Sequence, residues 1–153
     1  DIVDWQYRIP SGGHRPVTLV FAREKNEKAL KKALLNGQTV VWYDKRLIGK
    51  SNHLLPLING SLKIESAHYL SATTIAHVVI SNNSDAPYIM RNQSEYDFYN
   101  GTNLITIPPH GSAIVDVRTL TKKRKFELQF EVLNALVKPD THPLFRIVVR
   151  PKQ

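Results

Sequence analysis

The sequence predicts a mainly β fold, an immunoglobulin-like β-sandwich preceded by one strand-helix-strand unit. The beginning of the chain holds one helix, with clear start and stop residues, between two β-rich runs. The remainder holds seven short strand-like runs with turn residues between them and no amphipathic helix. Short strands at this spacing, over roughly ninety residues, are typical of a sandwich.

The first unit is defined by its helix signals. Residues 17–22 are a β-rich apolar run, and Asn26 is a suitable helix N-cap. Gly37 suits the left-handed position after a helix end, and residues 39–43 resume as a β-branched and aromatic strand. The helix between them carries one apolar face, formed by Ala29, Leu30, Ala33 and Leu34. This pattern predicts one α/β repeat of the kind found in parallel sheets.

A turn signal at Asn59-Gly60-Ser61 follows a short segment that Pro56 interrupts. We therefore predict two domains, residues 1–58 and residues 59–153. The strands expected in the second are 62–66, 75–80, 87–91, 104–107, 112–117, 126–132 and 144–150. Because no cysteine pair marks the sandwich, the order of its strands stays open.

The amino-acid composition excludes several classes of functional site. The chain has no cysteine, which excludes disulfides, thiol catalysis and cysteinyl zinc sites. No apolar run approaches the ~20 residues of a membrane span, so we expect a soluble protein and no membrane partner. The start at Asp1, without Met or leader, predicts a processed protein or a fragment. The absence of cysteine leaves the cellular compartment open.

The formal net charge is +8, but the basic residues are scattered. The one long cluster, Lys122-Lys123-Arg124-Lys125, lies between two predicted strands, where a solvated hairpin explains it. No nucleic-acid-binding motif accompanies the charge, so a nucleic-acid partner is not expected.

Three stretches resemble the last β/α unit of the polymerase and histidinol phosphatase (PHP) family of metal-dependent phosphoesterases. They are Asp4-Trp5, residues 13–22 with their His14-Arg15-Pro16 phrase, and residues 29–40. The similarity is greatest to phosphodiesterase-like members with an added C-terminal domain. It implies that residues 1–58 close a PHP-like barrel and that the parent protein hydrolyses phosphate mono- or diesters. Many of these relatives are exported by bacteria, so the resemblance implies a periplasmic or secreted protein, which a chain without cysteine suits.

The resemblance also implies two or three divalent metal ions in the parent, held by histidines and aspartates at strand ends. This chain does not contain that set, because its six histidines form no His-x-His or Asp-x-His pair. At Asp1-Ile2-Val3, valine stands where the family's last Asp-x-His motif would place its histidine. The motif either lies upstream or has been lost. We therefore expect no catalytic residue, metal ligand or cofactor in this chain alone.

The candidate substrate-binding residues are His14, Arg15 and Trp5. His14 and Arg15 stand at the entrance of a strand behind Ser11-Gly12-Gly13, where they could face a phosphate, and Trp5 could line the mouth of a pocket. The simpler interpretation of each is loop packing or a backbone hydrogen bond.

Other polar and aromatic residues have structural interpretations. We expect His77 to be a cross-strand partner and His110 an exposed turn residue. The cluster of Tyr96, Asp97, Phe98 and Tyr99 either stacks a sugar or fills the core, and the core is favoured. Four glycosylation sequons predict exposed loops, at Asn59, Asn82, Asn92 and Asn100.

The sequence therefore predicts the C-terminal portion of a metal-dependent phosphoesterase, with a structural or accessory role. Its partner is the rest of the PHP-like domain upstream, and a homodimer of the isolated fragment is the expected result of exposing that interface. The alternative is a stand-alone secreted β-sandwich module that binds carbohydrate or protein. Its contact surface would be formed by Tyr88, Tyr96, Phe98 and Tyr99.

Overall fold

The computed structural model describes residues 15–152. Trp5 and His14 lie outside this range. The helices are α1 (Glu27–Leu35) and α2 (Ser51–Ser61). The strands are β1 (Val17–Val20), β2 (Thr39–Tyr43), β3 (Arg46–Gly49), β4 (Leu62–Tyr69), β5 (Ile75–Asn82), β6 (Tyr88–Asn92), β7 (Leu104–Ile107), β8 (Ser112–Arg118), β9 (Phe126–Val132), β10 (Ala135–Leu136) and β11 (Leu144–Val149).

The predicted β-sandwich is confirmed. One sheet has the order β4-β5-β8 and the other the order β11-β9-β6-β7, with every pair antiparallel. All seven predicted strands are present and form these two sheets. The fourth strand, β7, pairs with β6, whereas a constant-type immunoglobulin domain places its fourth strand on the opposite sheet.

Alternation of side chains builds the core between the sheets. In β5 every second residue is buried, and in β9 the residues that face the other sheet, such as Phe130, are buried. Tyr96 and Phe98 join this core from the β6–β7 connection, where Tyr96 packs edge-on against Phe126. The core interpretation of these two aromatic residues is therefore confirmed.

The first unit forms a third sheet with the order β1-β2-β3-β10. The strand-helix-strand order, the Asn26 cap and the Gly37 stop are all as predicted, since the Asn26 Oδ1 accepts from the Ala29 N–H and Gly37 has φ +63°.

The expectation of parallel pairing is wrong, because β1 and β2 are antiparallel. The Phe21 N–H donates to the Gln38 carbonyl, so the chain leaves and re-enters the sheet at one end. Helix α1 thus lies in the connection between the two strands of a hairpin.

The predicted turn at residues 59–61 is instead the last turn of α2. Leu54 and Ile58 on this helix are fully buried, which favours helix despite the presence of Pro56. The polar residues bond back to the helix itself: the Asn59 amide donates to the Leu55 carbonyl and the Ser61 hydroxyl to the Leu57 carbonyl. The predicted boundary after residue 58 therefore falls inside a helix. The division into two domains stays a prediction.

One buried side chain joins the first unit to the sandwich. The Asn134 Oδ1 accepts from the Ile89 N–H (3.0 Å), while its Nδ2 donates to the carbonyls of Lys45 (2.6 Å) and Pro87 (2.7 Å). The Asn134 carbonyl also accepts from the Leu47 N–H, in line with the parallel pairing of β3 and β10. Together with buried residues shared between both parts, these bonds make one continuous core.

Candidate functional site

Exposed apolar surface is concentrated in the first unit. Large exposed hydrophobic side chains number twelve among residues 15–152, and seven of them lie between residues 17 and 48. They are Val17, Leu30, Leu34, Leu35, Val41, Tyr43 and Ile48. A cluster of exposed apolar side chains in one unit marks a candidate interaction surface, whereas scattered ones are ordinary.

The sheet of the first unit has two different faces. Val40 and Leu47 point into the core, so their neighbours Val41 and Ile48 point away from it. The strand register aligns Thr18, Val41, Ile48 and Leu136 in one row across all four strands. We call the side that carries this row, together with Tyr43, the outer face.

Helix α1 also exposes apolar side chains. Of its predicted apolar face, Ala33 is buried, Ala29 is half-buried, and Leu30 and Leu34 are each nearly half exposed. Its last residue, Leu35, is 88% exposed. The helix therefore buries little of its apolar side against the described part of the chain.

Arg15 alone of the three predicted substrate-binding residues lies within the described range. It is partly exposed and stands two residues before the edge strand β1. The substrate role of Arg15, His14 and Trp5 stays a prediction.

Several described histidines contact a neighbouring side chain. His77 Nδ1 lies 2.7 Å from Asp116 Oδ1 on the neighbouring strand, which confirms His77 as a cross-strand partner. His110 makes a matching contact with Asp85 in an exposed turn (2.7 Å), and the His53 ring stacks on Phe21. Within residues 15–152, no group of three or more His, Cys, Asp or Glu side chains could hold a metal ion. The divalent ions implied for the parent thus have no ligand set in this range.

The aromatic surface of the alternative function is not present. Tyr88, Tyr96 and Phe98 are buried, so they cannot stack a sugar from solvent. Only Tyr99 of that set is exposed, with the Arg118 guanidinium 5.0 Å from its ring centroid. Sequence periodicity in a short irregular segment could not tell a core aromatic residue from an exposed one.

Three of the four sequons do not lie in exposed loops as expected, because Asn59 is in helix α2 and Asn82 and Asn92 are the last residues of strands. Asn82 is buried and Asn92 is half-buried, and each forms the same turn. The side-chain oxygen accepts from the N–H two residues later, and the amide donates to the carbonyl four residues later, on Ala86 and Tyr96 respectively. Such Asx turns explain the Asn-x-Ser spacing without any modification.

The basic cluster does not form the expected hairpin, because β8 and β9 belong to different sheets. The loop between them is anchored by the Tyr69 hydroxyl, which accepts from the Lys123 N–H (2.7 Å) and donates to the Lys123 carbonyl. A hydrogen bond to the Tyr96 hydroxyl raises the pKa of Lys123. These contacts order the loop and keep its other basic side chains at the surface.

A small cavity of about 180 Å³ lies between the first unit and the sandwich, and Leu19, Trp42 and Tyr88 are among its lining residues. The Tyr88 hydroxyl is buried near the Ser61 and Ser84 hydroxyls, but no described residue is in hydrogen-bond geometry with it. Burial raises the pKa of Tyr88, and the nearby Ser61 and Ser84 hydroxyls oppose only part of that rise.

Residues 62–148 match the profile of a family of Ig-like domains, DUF5001. The chain belongs to this family. The match runs from the first residue of β4 into β11, so the Ig-like domain corresponds to the two-sheet sandwich and leaves out α1, α2 and the first three strands.

A crystal structure of a two-domain protein from Bacteroides vulgatus, containing a predicted PHP-like metal-dependent phosphoesterase, is similar over a wider range. Its TM-score is 0.76 and its identity 25%, over 91% of this chain and 40% of that protein. Since 91% of the chain is covered, the similarity extends beyond the Ig-like domain into the first unit. This chain thus spans less than half the length of that protein. No curated protein matches it.

No helix among residues 15–152 is long and apolar enough to cross a membrane.

Proposed function

We propose that this chain is the C-terminal portion of a PHP-like metal-dependent phosphoesterase and that its role there is structural. In this proposal the parent hydrolyses phosphate mono- or diesters with metal ligands that lie outside residues 15–152. The Ig-like sandwich supports the first unit, and the first unit presents the outer face to the rest of the enzyme.

The outer face is the observation that carries the proposal. Val41 and Ile48 lie next to each other across two central strands, and they are 38% and 44% exposed. At about 25 cal/mol per Å² of apolar surface removed from water, covering such a row favours association. The shared architecture of the Bacteroides protein supports a partner within one longer polypeptide.

The alternative, a stand-alone secreted module that binds carbohydrate or protein, keeps only Tyr99 of its proposed contact surface, because Tyr88, Tyr96 and Phe98 are buried. Nucleic-acid binding is also unsupported. The basic loop is fixed at Lys123, which forms hydrogen bonds with the Tyr69 and Tyr96 hydroxyls. The structural role is therefore the better supported function.

The first test is the mass of the endogenous polypeptide that carries this sequence, captured with an antibody and measured intact. A mass several times 17.4 kDa supports the proposal, and the captured protein is then assayed for metal-dependent hydrolysis of a phosphodiester. A mass near 17.4 kDa contradicts it.

The interface is tested separately on the isolated chain. If the outer face is an interface, the wild-type chain should self-associate in sedimentation velocity, because its natural cover is missing. The double variant Val41→Asp/Ile48→Asp should be monomeric. Ile114→Asp is the matched control, since Ile114 is an exposed strand residue of the sandwich and its replacement should leave association unchanged. A monomeric wild-type chain at high concentration would argue against the interface.

A further inference from the structure

Two histidines and an aspartate lie side by side on the solvent-facing side of the β4-β5-β8 sheet. His68 on β4 is directly opposite His77 on β5, which is directly opposite Asp116 on β8. His68 is exposed, and the side chains of His77 and Asp116 are 25% and 32% exposed. All three are therefore accessible from solvent while their strands hold them in register.

We propose that His68 and His77 form a binding site for a divalent transition-metal ion, with Asp116 as the residue that orients His77. The site lies on the solvent-facing side of the β4-β5-β8 sheet. It supplies two imidazole nitrogens, and water or a group from a binding partner fills the other positions.

The Asp116 contact determines which nitrogen of His77 is available. An ionised carboxylate can only accept a hydrogen bond, so the His77 Nδ1 at 2.7 Å must carry a proton and donate it. In the neutral ring this leaves the lone pair on Nε2, the form in which imidazole binds a metal. A carboxylate behind a histidine ligand is also the usual second-shell arrangement, which fixes the ring and raises its basicity.

The separation of the two rings suits a shared ion. A metal-nitrogen bond is about 2.0–2.1 Å, and a ring centroid lies about 1.1 Å behind its nitrogen, so each centroid is about 3.2 Å from the metal. For ligand angles between about 90° and 110°, the centroids would then lie about 4.5–5.2 Å apart. The His68 and His77 centroids are 5.1 Å apart.

The backbone favours a preformed site. Directly opposite residues of antiparallel strands bring their Cβ atoms within about 4.5–5.5 Å, and regular strands hold ligands more rigidly than loops. Nearby charges have opposing effects on a bound cation. Asp116 attracts it, whereas Lys152, whose backbone pairs with His68, and Arg118 on the same face of β8 repel it. Imidazole ligands and the Irving–Williams order predict that Cu²⁺ binds most tightly and that Ni²⁺ and Zn²⁺ follow.

The test is a Cu²⁺ titration of the metal-free, untagged chain, followed by calorimetry and electron paramagnetic resonance. We expect one equivalent of Cu²⁺ with two nitrogen ligands, and at least tenfold weaker binding in His68→Asn and in His77→Asn. Asp116→Asn should weaken binding by about 10–100-fold and keep the two-nitrogen signal.

His110→Asn is the matched control. His110 pairs with Asp85 at the same distance as His77 with Asp116, but within residues 15–152 no histidine ring packs on it. Binding should be unchanged in this variant. Equal binding by wild type, His68→Asn and His77→Asn would overturn the proposal, as would loss of binding in His110→Asn. Melting curves without metal establish that each variant folds.

Discussion

Replacement of Asn134 by alanine should weaken the attachment of the first unit to the sandwich and lower the free energy of unfolding. The substitution removes three side-chain hydrogen bonds, to the Ile89 N–H and to the carbonyls of Lys45 and Pro87. Ile89 and Pro87 are half-buried, so water replaces their lost bonds only in part, whereas the Lys45 carbonyl belongs to an exposed residue. At about 1 kcal/mol for each bond, and up to about 3 for a group left unsatisfied, we expect a loss of about 2–4 kcal/mol.

Urea denaturation followed by circular dichroism measures this loss. A chain of this size should also melt about 4–16 °C lower, at roughly 2–4 °C per kcal/mol. Amide hydrogen exchange adds a local measurement: the Leu47 N–H, which is bonded to the Asn134 carbonyl, should exchange faster if β3 detaches from β10.

Asn59→Ala is the control for Asn134→Ala. Asn59 makes one exposed hydrogen bond to its own helix, and its replacement should cost well under 1 kcal/mol. The reasoning is refuted if Asn134→Ala costs no more than this control, because the side chain would then not hold the two parts together.

Three further predictions concern single sites. A Cβ at position 49 would lie 2.7 Å from Val40 Cγ2, so Gly49→Ala should lower the free energy of unfolding in urea by about 1–3 kcal/mol. Gly60 lies in α2 with open space around it, so Gly60→Ala should raise the free energy of unfolding by up to ~1 kcal/mol. Equal effects of the two would contradict the close packing of β3 on β2. Asn26→Ala should cost about 1 kcal/mol through loss of the α1 cap, measured in the same way, and a change below ~0.3 kcal/mol would refute the cap. Tyr88→Phe removes a hydroxyl without a partner among the described residues and should leave stability at pH 7 unchanged or higher. Because burial raises the pKa of Tyr88, the unfolded state loses that proton first, and stability should fall as pH rises above about 10. Tyr88→Phe should lose less stability than wild type between pH 9 and pH 11, and an identical loss would contradict the buried phenol.

Local sequence signals predicted the strands with good accuracy. Residues 104–107 and 126–132 are strands with the predicted bounds, and the Asn26 and Gly37 signals mark the ends of α1. These features depend on the alternation of side chains and on the backbone preferences of neighbouring residues. Short stretches of sequence determine both. Strands β3 and β10 were not predicted, and β10 has only two residues, too few to show a periodicity.

The sequence predicted less of the candidate site than of the secondary structure. The helical spacing of Leu30 and Leu34 indicated an apolar face but not that this face would stay exposed. The pairing of His68 with His77 has no local signal, because it depends on the register of two strands with a bulge between Ile64 and Ser66. Asn134 also escaped notice, since an isolated Asn in a loop is ordinary until its three partners are known.

The chain therefore carries its secondary structure and its sandwich class in local patterns of apolar residues, caps and turns. The direction of β1 against β2, the helical state of residues 59–61 and the joining of both parts through Asn134 depend on contacts between distant residues. Such contacts are decided by which arrangement buries Leu54, Ile58 and Leu47 in one core while satisfying the backbone around them. Burial of this kind is a property of the assembled fold, which is why it overrides the turn propensity of Asn-Gly-Ser and the parallel pairing expected of an α/β repeat.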